Sequence, residues 1–392
     1  MPESRPRRRK PARAAKPVRR TRRKLRIGIS CYAHFGGSGV VASELGRELA
    51  RRGHEVHLIA SHLPFRLRSF EPNIYFHEAV PAHYPVFEDA PSNLALATKM
   101  VEVAENYSLD VLHVHYAMPF ATSAYLARQV MMPRQIGVVT TLHGTDITVV
   151  GAEPAFFRVT QFSIQSSDRV TAVSRFLKER AEATFGITKP IEVIYNFVDP
   201  KVFTPRKDHR ILGGPGTKVL MHASNFRSVK NIPVVIQVFS EVRKRMQAKL
   251  VMVGDGPEKA GAEQLARELG VHRDVLFLGN QDLMEEMLPL ADVFLLPSSS
   301  ESFGLVALEA MCAEVPVVCS NAGGLPEVVE HGFTGFLHDP QHVAGQTASV
   351  LKLLQNDTLR RAMGRRGRRI AMERFGAEEQ IERYVKVYES LR

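Results

Sequence analysis

Short runs of apolar, often β-branched residues recur along the chain and alternate with segments in which apolar residues have helical spacing. The runs are nearly continuous in apolar residues, as in strands that are buried on both faces of a parallel sheet. We therefore predict strands at 25–30, 55–60, 110–115, 137–142, 169–173 and 191–195, and then at 218–223, 248–254, 275–279, 292–297 and 315–320. Helices are predicted between them, for example at 39–52 and 92–106, which is the pattern of doubly wound α/β domains.

A segment rich in proline, glycine and charge, residues 199–216, separates the two series of strands. This composition predicts a linker between one domain at 25–198 and another at 217–375. Apolar residues at helical spacing predict a further helix in the last segment, 376–392. Because ligands bind beyond the carboxyl ends of the strands in such sheets, we expect a substrate in a cleft between two facing domains.

The net charge of +11 lies entirely in residues 1–24, which hold 12 of the 52 lysines and arginines but one of the 41 acidic residues. We expect this basic tail to be disordered, and the neutral remainder argues against a specific nucleic-acid partner. No apolar run approaches the roughly 18 residues of a membrane span, and no apolar segment follows the basic N-terminus. Three cysteines fit a reducing compartment, so we expect a cytoplasmic protein.

A glycine-rich loop follows the first predicted strand. Residues 37–42, GSGVVA, match the G-x-G-x-x-A pattern of dinucleotide-binding loops, but the second strand ends without the acidic residue that would bind a ribose. Glycines still let backbone N–H groups approach an anion at a helix N-terminus. Gly36, Gly37 and Ser38 are therefore candidates for binding a phosphate or a carboxylate.

Two glutamates, Glu301 and Glu309, are separated by seven residues in the stretch 298–320. We expect Glu301 in a loop after a strand and Glu309 one or two turns inside the following helix. Their oxygens can accept hydrogen bonds from sugar hydroxyls, and the first amides of the helix suit a diphosphate. A glycosidase also uses two carboxylates, about 5–10 Å apart, so the pair alone leaves hydrolysis open.

Two histidines, His113 and His115, lie on the same face of a predicted strand because side chains alternate along a strand. A metal site is conceivable at this spacing. The sequence offers no convincing cysteine or carboxylate as a further ligand, so we expect no metal.

The string SSSESFGLVALEAM resembles the donor site of retaining glycosyltransferases of family 4, and the resemblance runs from about residue 25 to the C-terminus. It implies the GT-B fold, an α/β architecture in which two Rossmann-like domains face a central cleft. The first domain would bind the acceptor and the second the UDP-sugar. The last helix, in 376–392, would return to the first domain.

Longer strings, among them GGSGVVASELGRELARRGHEVHLIAS, LDVLHVHYAMP, VVTTLHGTDITVVG and HASNFRSVKN, are similar to the members of this family that act in bacillithiol biosynthesis. This narrower resemblance implies transfer of N-acetylglucosamine from UDP-GlcNAc to the hydroxyl of L-malate, the first step of that pathway. It implies no cofactor and no metal, and suggests a homo-oligomer only loosely. Two alternatives stay open: a family 4 enzyme acting on inositol phosphate or a lipid, and a noncatalytic protein that binds a nucleotide sugar or a polyanion.

The resemblance also implies a donor site. Glu309 would accept hydrogen bonds from the ribose hydroxyls, and Glu301 would contact the transferred sugar. Lys230 matches the family lysine on the diphosphate. Arg227 is taken as a second cation, because Asn225 stands where many relatives have an arginine. The full predicted donor set is Gly37, Asn225, Arg227, Lys230, Glu301, Ser302, Phe303, Gly304, Leu305 and Glu309.

His143, in the string LHGTD, matches the family histidine beside the transferred sugar, and Asp146 would orient it or cap the following segment. His143, Arg227, Lys230 and Glu301 are the predicted catalytic residues. L-malate is a dianion, so its site requires hydrogen-bond donors or cations rather than carboxylates. The candidates are Gly36, Gly37, Ser38, Lys99, Tyr116 and Thr141.

Overall fold

The structure is a computed structural model that describes residues 23–391 apart from 34–35, 65–66, 68–69, 82–90, 206–213 and 215. All but the last two residues of the predicted basic tail, 1–24, lie outside the described residues. So does half of the predicted linker, 199–216.

Seven parallel strands form the first sheet, in the order β3-β2-β1-β4-β5-β6-β7. They are β1 (Arg26–Ser30), β2 (Glu55–Ala60), β3 (Ile74–Glu78), β4 (Val111–His115), β5 (Gly137–Leu142), β6 (Arg169–Ala172) and β7 (Ile191–Val193). The helices of this half are α1 (Gly37–Arg51), α2 (Ser92–Asn106), α3 (Thr122–Val130), α4 (Thr145–Thr148), α5 (Pro154–Ser166) and α6 (Arg175–Phe185).

Six parallel strands form the second sheet, in the order β10-β9-β8-β11-β12-β13. They are β8 (Lys218–Ala223), β9 (Ala248–Val253), β10 (Val275–Phe277), β11 (Val293–Leu296), β12 (Val317–Ser320) and β13 (Gly335–His338). The helices that follow β8 are α7 (Ile232–Arg243), α8 (Lys259–Glu268), α9 (Met284–Met287), α10 (Leu305–Cys312), α11 (Leu325–Val328), α12 (Val343–Gln355), α13 (Asp357–Phe375) and α14 (Ala377–Glu389).

Each of the eleven predicted strands is present, and two strands, β3 and β13, were not predicted. Both are edge strands, so they are less completely covered than the central strands. In β3 no residue is fully buried, and Tyr75 is 45% exposed. Edge strands of this kind lack the continuous apolar run that identifies a buried parallel strand.

The strand order reverses between β1 and β4 in the first sheet and between β8 and β11 in the second. At such a point the loops leave neighbouring strands in opposite directions and open a crevice beyond their carboxyl ends. The loops after these four strands are therefore the places where the fold provides room for a ligand.

The last helix, α14, packs against the first sheet although it follows the second sheet in the chain. Ile381, Tyr384 and Tyr388 are fully buried in a cluster with residues of β1, β2 and α1. The Tyr388 hydroxyl lies 2.8 Å from Nδ1 of His113 on β4. The chain therefore connects its two halves twice, before β8 and before α14.

Arg368 on α13 holds the first of these connections against the second domain. Its guanidinium donates to the carbonyls of Pro200 at 2.9 Å and Phe203 at 2.6 Å, and also to the carbonyl of Cys312 at the end of α10. One planar cation thus satisfies three carbonyls, two from the connection before β8 and one from the end of α10.

We expect Arg368→Ala to destabilise the protein by about 2–4 kcal/mol, because it leaves these half-buried carbonyls without a charged donor. Arg365→Ala is the matched control, since Arg365 is exposed on the same helix. Calorimetric unfolding of both variants is the measurement. Equal thermal midpoints for the two variants would contradict this role of Arg368.

Candidate functional site

The predicted site residues, with the exception of Lys99, Thr141 and Glu309, lie in loops or helix starts after the carboxyl ends of five strands. Gly36–Ser38 follow β1, Tyr116 follows β4 and His143 follows β5, whereas Asn225–Lys230 follow β8 and Glu301–Leu305 follow β11. Four of these strands flank the two points of strand reversal. The topology therefore places the predicted site residues of the first sheet, and those of the second sheet, at the crevices where the strand order reverses.

Lys230 and Glu301 form an ion pair on the side of the second sheet. The Lys230 ammonium lies 2.6 Å from Oε1 of Glu301, and the Ser298 hydroxyl donates to the same oxygen at 2.9 Å. Both charged side chains are largely covered, with 18% and 13% exposed. The predicted cation for a diphosphate and the predicted acceptor for a sugar thus contact each other.

Helix α10 begins immediately after this pair, with Gly304 at its N-cap. Gly304 has φ +93°, and a side chain there would meet Leu325 at 2.5 Å, so the conformation and the close contact both require glycine. The neighbouring Phe303 ring is buried among Tyr195 and Phe375. The side chain of Phe303 is therefore not available to a ligand, whereas the first N–H groups of α10 carry a partial positive charge.

Gly323 and Gly324 support the backbone of this loop. The Gly324 N–H donates to the Glu301 carbonyl at 2.7 Å. A side chain on Gly323, which has φ +61°, would come within 2.0 Å of the same carbonyl. Gly323 and Gly324 thus fix the position of the Glu301 backbone and leave its carboxylate to Lys230.

Glu309 is the fifth residue of α10 and is 6% exposed. It lines a crevice together with Val40 and Val41 of α1, Phe197 and Leu305. Residues of helices α1 and α10, one from each half, and of the connection between the halves meet there.

The carboxylate of Asp146, 2% exposed, joins two loops of the first sheet. Its Oδ2 accepts the N–H of Ala117 at 2.9 Å, and its Oδ1 accepts those of Gly144 at 2.9 Å and His143 at 3.3 Å. Burial raises the pKa of Asp146 from 3.8 to about 6, against the lowering effect of these backbone hydrogen bonds. Asp146 therefore orients the His143 loop, one of the two roles predicted for it.

The hydroxyls of Ser38, Tyr116 and Thr145 lie together close to the Asp146 carboxylate. Burial raises the pKa of Tyr116 to about 12, opposed by hydrogen bonds to the hydroxyls of Ser38 and Thr145. Tyr116 has φ +88°, a region that bulky residues rarely adopt and that often marks a functional site. Ser38 and Tyr116 were predicted, whereas Thr145 was missed although it lies two residues after His143.

His143 is half-buried and stacks on His115, with 2.7 Å between its Nε2 and Nδ1 of His115. Burial lowers the pKa of His143 to about 3, so its imidazole is neutral near pH 7. The adjacent Gly144 has φ +129°, and a side chain there would lie 1.7 Å from the Ser302 hydroxyl. The loop of His143 and the loop of Glu301 are therefore in direct contact.

Two predicted acceptor residues are not part of this group. Thr141 is fully buried, and its hydroxyl lies 2.7 Å from Nε2 of His113 and 2.6 Å from the hydroxyl of Thr171. This corrects the prediction, because the alternation along β5 turns Thr141 to the sheet face that α14 covers rather than toward the cleft.

Lys99 lies on α2 in an ion pair with Glu102 at 2.6 Å, close enough to His77 on β3 to lower its pKa. The contacts described for Lys99 are thus with Glu102 and His77 rather than with Ser38 or Tyr116, which corrects the prediction. Asn225 and Arg227 are exposed beside Lys230.

Within the part of the chain that the structure describes, no group of three or more His, Cys, Asp or Glu side chains has an arrangement that could hold a metal ion. His113 is instead bonded to Tyr388 and Thr141. The same residues include no helix that is long and apolar enough to cross a membrane.

Family models match both halves of the chain. The model described as Glycosyltransferase Family 4 matches residues 35–202, and the one described as Glycosyl transferases group 1 matches residues 206–370. Together they cover most of the described structure.

Among curated proteins, N-acetyl-alpha-D-glucosaminyl L-malate synthase of Bacillus anthracis is 47% identical over 371 residues, which are 93% of this chain and 97% of the relative. D-inositol 3-phosphate glycosyltransferase of Corynebacterium jeikeium is 28% identical over 91% of this chain and 92% of the relative.

Among solved structures, HepE of Anabaena in complex with UDP and glucose has a TM-score of 0.80 at 20% identity and covers 94% of this chain and 100% of that one. Sucrose-phosphate synthase from Thermosynechococcus elongatus has a TM-score of 0.78 at 21% identity, with 94% and 99% covered. At this identity the likeness concerns the fold, which is that of the glycosyltransferases with two facing parallel sheets.

The fold and the sequence matches define an enzyme that transfers a sugar, with the GT-B architecture predicted from the sequence. More narrowly, the chain belongs to glycosyltransferase family 4. The predicted fold class and family are thus confirmed.

The raised pKa of Asp146 predicts a pH-dependent contribution to stability. The folded protein keeps a proton on Asp146 up to about pH 6, whereas the unfolded chain releases it near pH 3.8. The stabilisation is therefore complete below pH 3.8 and is lost as the pH rises through 6. Relative to Asp146→Asn, the wild type should lose about 3 kcal/mol of unfolding free energy between pH 4 and pH 7.5.

Denaturant unfolding of the wild type and of Asp146→Asn across this pH range measures the difference. Because both proteins share all other titrating groups, the contributions of those groups cancel in the comparison. A difference that stays constant with pH would show that Asp146 does not titrate in this range.

Proposed function

We propose that the protein transfers N-acetylglucosamine from UDP-GlcNAc to the hydroxyl of L-malate with retention at the anomeric carbon, the first step of bacillithiol biosynthesis. The observation that carries the proposal is the 47% identity, over nearly the full length of both chains, to the Bacillus anthracis enzyme named for this product. The relative named for D-inositol 3-phosphate is 28% identical.

The donor would lie against the second sheet. The first N–H groups of α10 and the ammonium of Lys230 are the donors offered to a diphosphate, with exposed Arg227 as a second cation. Glu301 would accept from hydroxyls of the transferred sugar, and Glu309 from the ribose. Since Lys230 is paired with Glu301 in this structure, the diphosphate would replace a carboxylate as the partner of Lys230.

The acceptor would lie against the first sheet. Malate carries two carboxylates, so it needs hydrogen-bond donors. The hydroxyls of Ser38, Tyr116 and Thr145 and the N-terminus of α1, which begins at Gly37 after the N-cap Gly36, would supply them. This set replaces Lys99 and Thr141 of the original prediction.

Retention is compatible with a same-face reaction. The bond from the anomeric carbon to the diphosphate oxygen breaks, a bond to the malate hydroxyl oxygen forms on the same face, and the hydroxyl proton passes to the departing phosphate oxygen. The neutral His143 would donate or accept a hydrogen bond at the transferred sugar rather than supply a proton. Catalysis would consist mainly of positioning and electrostatic stabilisation of the leaving UDP.

The purified protein should release UDP from UDP-GlcNAc when L-malate is present, and much more slowly without it. The experiment measures UDP release for UDP-GlcNAc and UDP-glucose, each with L-malate, D-malate and D-inositol 3-phosphate. Release with inositol phosphate but not with L-malate would contradict the proposed acceptor. No release with any pair would contradict the proposed donor as well.

Glu309→Gln and Lys230→Ala should separate binding from catalysis. The ribose contact exists in the ground state and the transition state alike, so Glu309→Gln should weaken donor binding by roughly ten- to a hundredfold, the loss expected for one hydrogen bond to a charged group, about 1.5–3 kcal/mol. Lys230→Ala should lower kcat more than donor affinity, because negative charge on the diphosphate grows as the glycosidic bond breaks.

Donor binding by calorimetry and steady-state kinetics of both variants provide the comparison. Lys249→Ala is the control for Lys230, since Lys249 pairs with Asp274 at 2.8 Å on the second sheet, away from this site. Normal donor binding by Glu309→Gln would contradict the ribose contact of Glu309. Wild-type kcat in Lys230→Ala would contradict the role of Lys230 in the transition state.

A further inference from the structure

The carboxylate of Glu327 connects the two halves of the molecule at the start of α6. Glu327 lies on α11 in the second half, yet its Oε1 accepts the N–H of Phe176 at 2.9 Å and its Oε2 that of Arg175 at 3.0 Å. The hydroxyl of Tyr195, after β7, donates to Oε2 at 3.0 Å. A carboxylate from one half thus occupies the N-terminus of a helix of the other, where the partial positive charge of the helix favours it.

The ion pair with the Arg175 side chain contributes little to this contact. Its Nε lies 3.5 Å from Oε2, and the side chain is 66% exposed, whereas that of Glu327 is 12% exposed. Exposed ion pairs contribute little to stability, whereas hydrogen bonds to a covered charge contribute more. The backbone N–H groups of α6 are therefore the main partners of Glu327.

A second contact joins the N-terminus of α6 to the loop of Glu301 and Ser302. Ser174, the N-cap of α6, accepts from the N–H of Leu177 and donates through the same hydroxyl to the carbonyl of Ser302 at 2.5 Å. The start of α6 therefore contacts the second half at two points, Ser302 directly and Glu327 on α11.

Ser302 and Glu327 are connected to each other through close backbone contacts. Glu327 follows Gly323 and Gly324, the pair that holds the Glu301 carbonyl. A shift of α11 away from α6 therefore acts on the backbone of Glu301, whose carboxylate bonds Lys230.

We propose that Glu327 is a positioning residue that, with Ser174, fixes the Glu301–Ser302 loop against α6 when the two halves meet, and so sets the geometry for sugar transfer. Only the expected effect on kcat rests on the proposed function, and the contact itself does not. Because Glu327 belongs to the second half and its partners to the first, the contact forms only in this relative arrangement of the halves. Glu327 would thus act on the transfer step more than on donor binding, which the second half would provide by itself.

Hydrogen–deuterium exchange tests the contact without any acceptor. In Glu327→Gln, peptides covering residues 174–178 and 298–304 should exchange faster than in the wild type, with and without UDP. Arg175→Ala is the matched control: it removes the exposed ion pair but keeps the backbone N–H, so both peptides should exchange as in the wild type. Unchanged exchange in Glu327→Gln, or equal changes in both variants, would overturn the proposal.

Kinetics with UDP-GlcNAc and L-malate test the consequence. Glu327→Gln should lower kcat at least tenfold while calorimetric affinity for UDP-GlcNAc stays within threefold, and Arg175→Ala should match the wild type in both. Wild-type kcat in Glu327→Gln, or a tenfold loss of donor affinity at unchanged kcat, would overturn the positioning role. If the wild type does not use L-malate, the proposed acceptor fails and the exchange experiment still decides the contact.

Discussion

One buried carboxylate holds together the part of the site that belongs to the first sheet. Asp146 accepts N–H groups from the loops after β4 and β5, and these loops carry Tyr116 and His143. Adjacent parallel strands end at the same edge of the sheet, so a single acceptor can reach both loops. Burying this charge opposes its ionisation, as the raised pKa indicates, and the backbone donors compensate in part. The relative placement of Tyr116 and His143 therefore depends on an electrostatic contact more than on apolar packing.

The second sheet organises its loop by a different means. The carbonyls of Glu301 and Ser302 are held by Gly324 and Ser174, and the close approach of Gly323 and Gly144 leaves no space for side chains. Backbone groups thus provide the position, and the side chain of Glu301 is left to pair with Lys230. A Cβ at Gly144 would push the His143 loop away from Ser302, and a Cβ at Gly323 would displace the backbone of Glu301, so glycine is needed at both positions.

The sequence predicted the sheets well because central parallel strands consist of continuous apolar runs, and it predicted the strand-end loops because parallel strands present their carboxyl ends together. Thr141 and Lys99 were misplaced for a physical reason. The alternation along β5 turns Thr141 to the sheet face that α14 covers, and Lys99 on α2 pairs with Glu102. Glu327 and Thr145 could not be predicted as contacts, since the partner of each comes from a distant segment.

The Lys230–Glu301 ion pair would affect both the affinity for the sugar donor and the rate of transfer. Both side chains are largely covered, so each charge has already lost much of its hydration and is compensated by the other at 2.6 Å. A diphosphate that takes Lys230 as its partner would gain only the difference between two such pairings, and it would release Glu301 to accept from sugar hydroxyls. In the proposed reaction, that difference would grow when the glycosidic bond breaks and charge accumulates on the departing phosphate. An ion pair that is balanced before the donor arrives would therefore favour the transition state over the ground state, which is the condition for raising kcat rather than affinity alone.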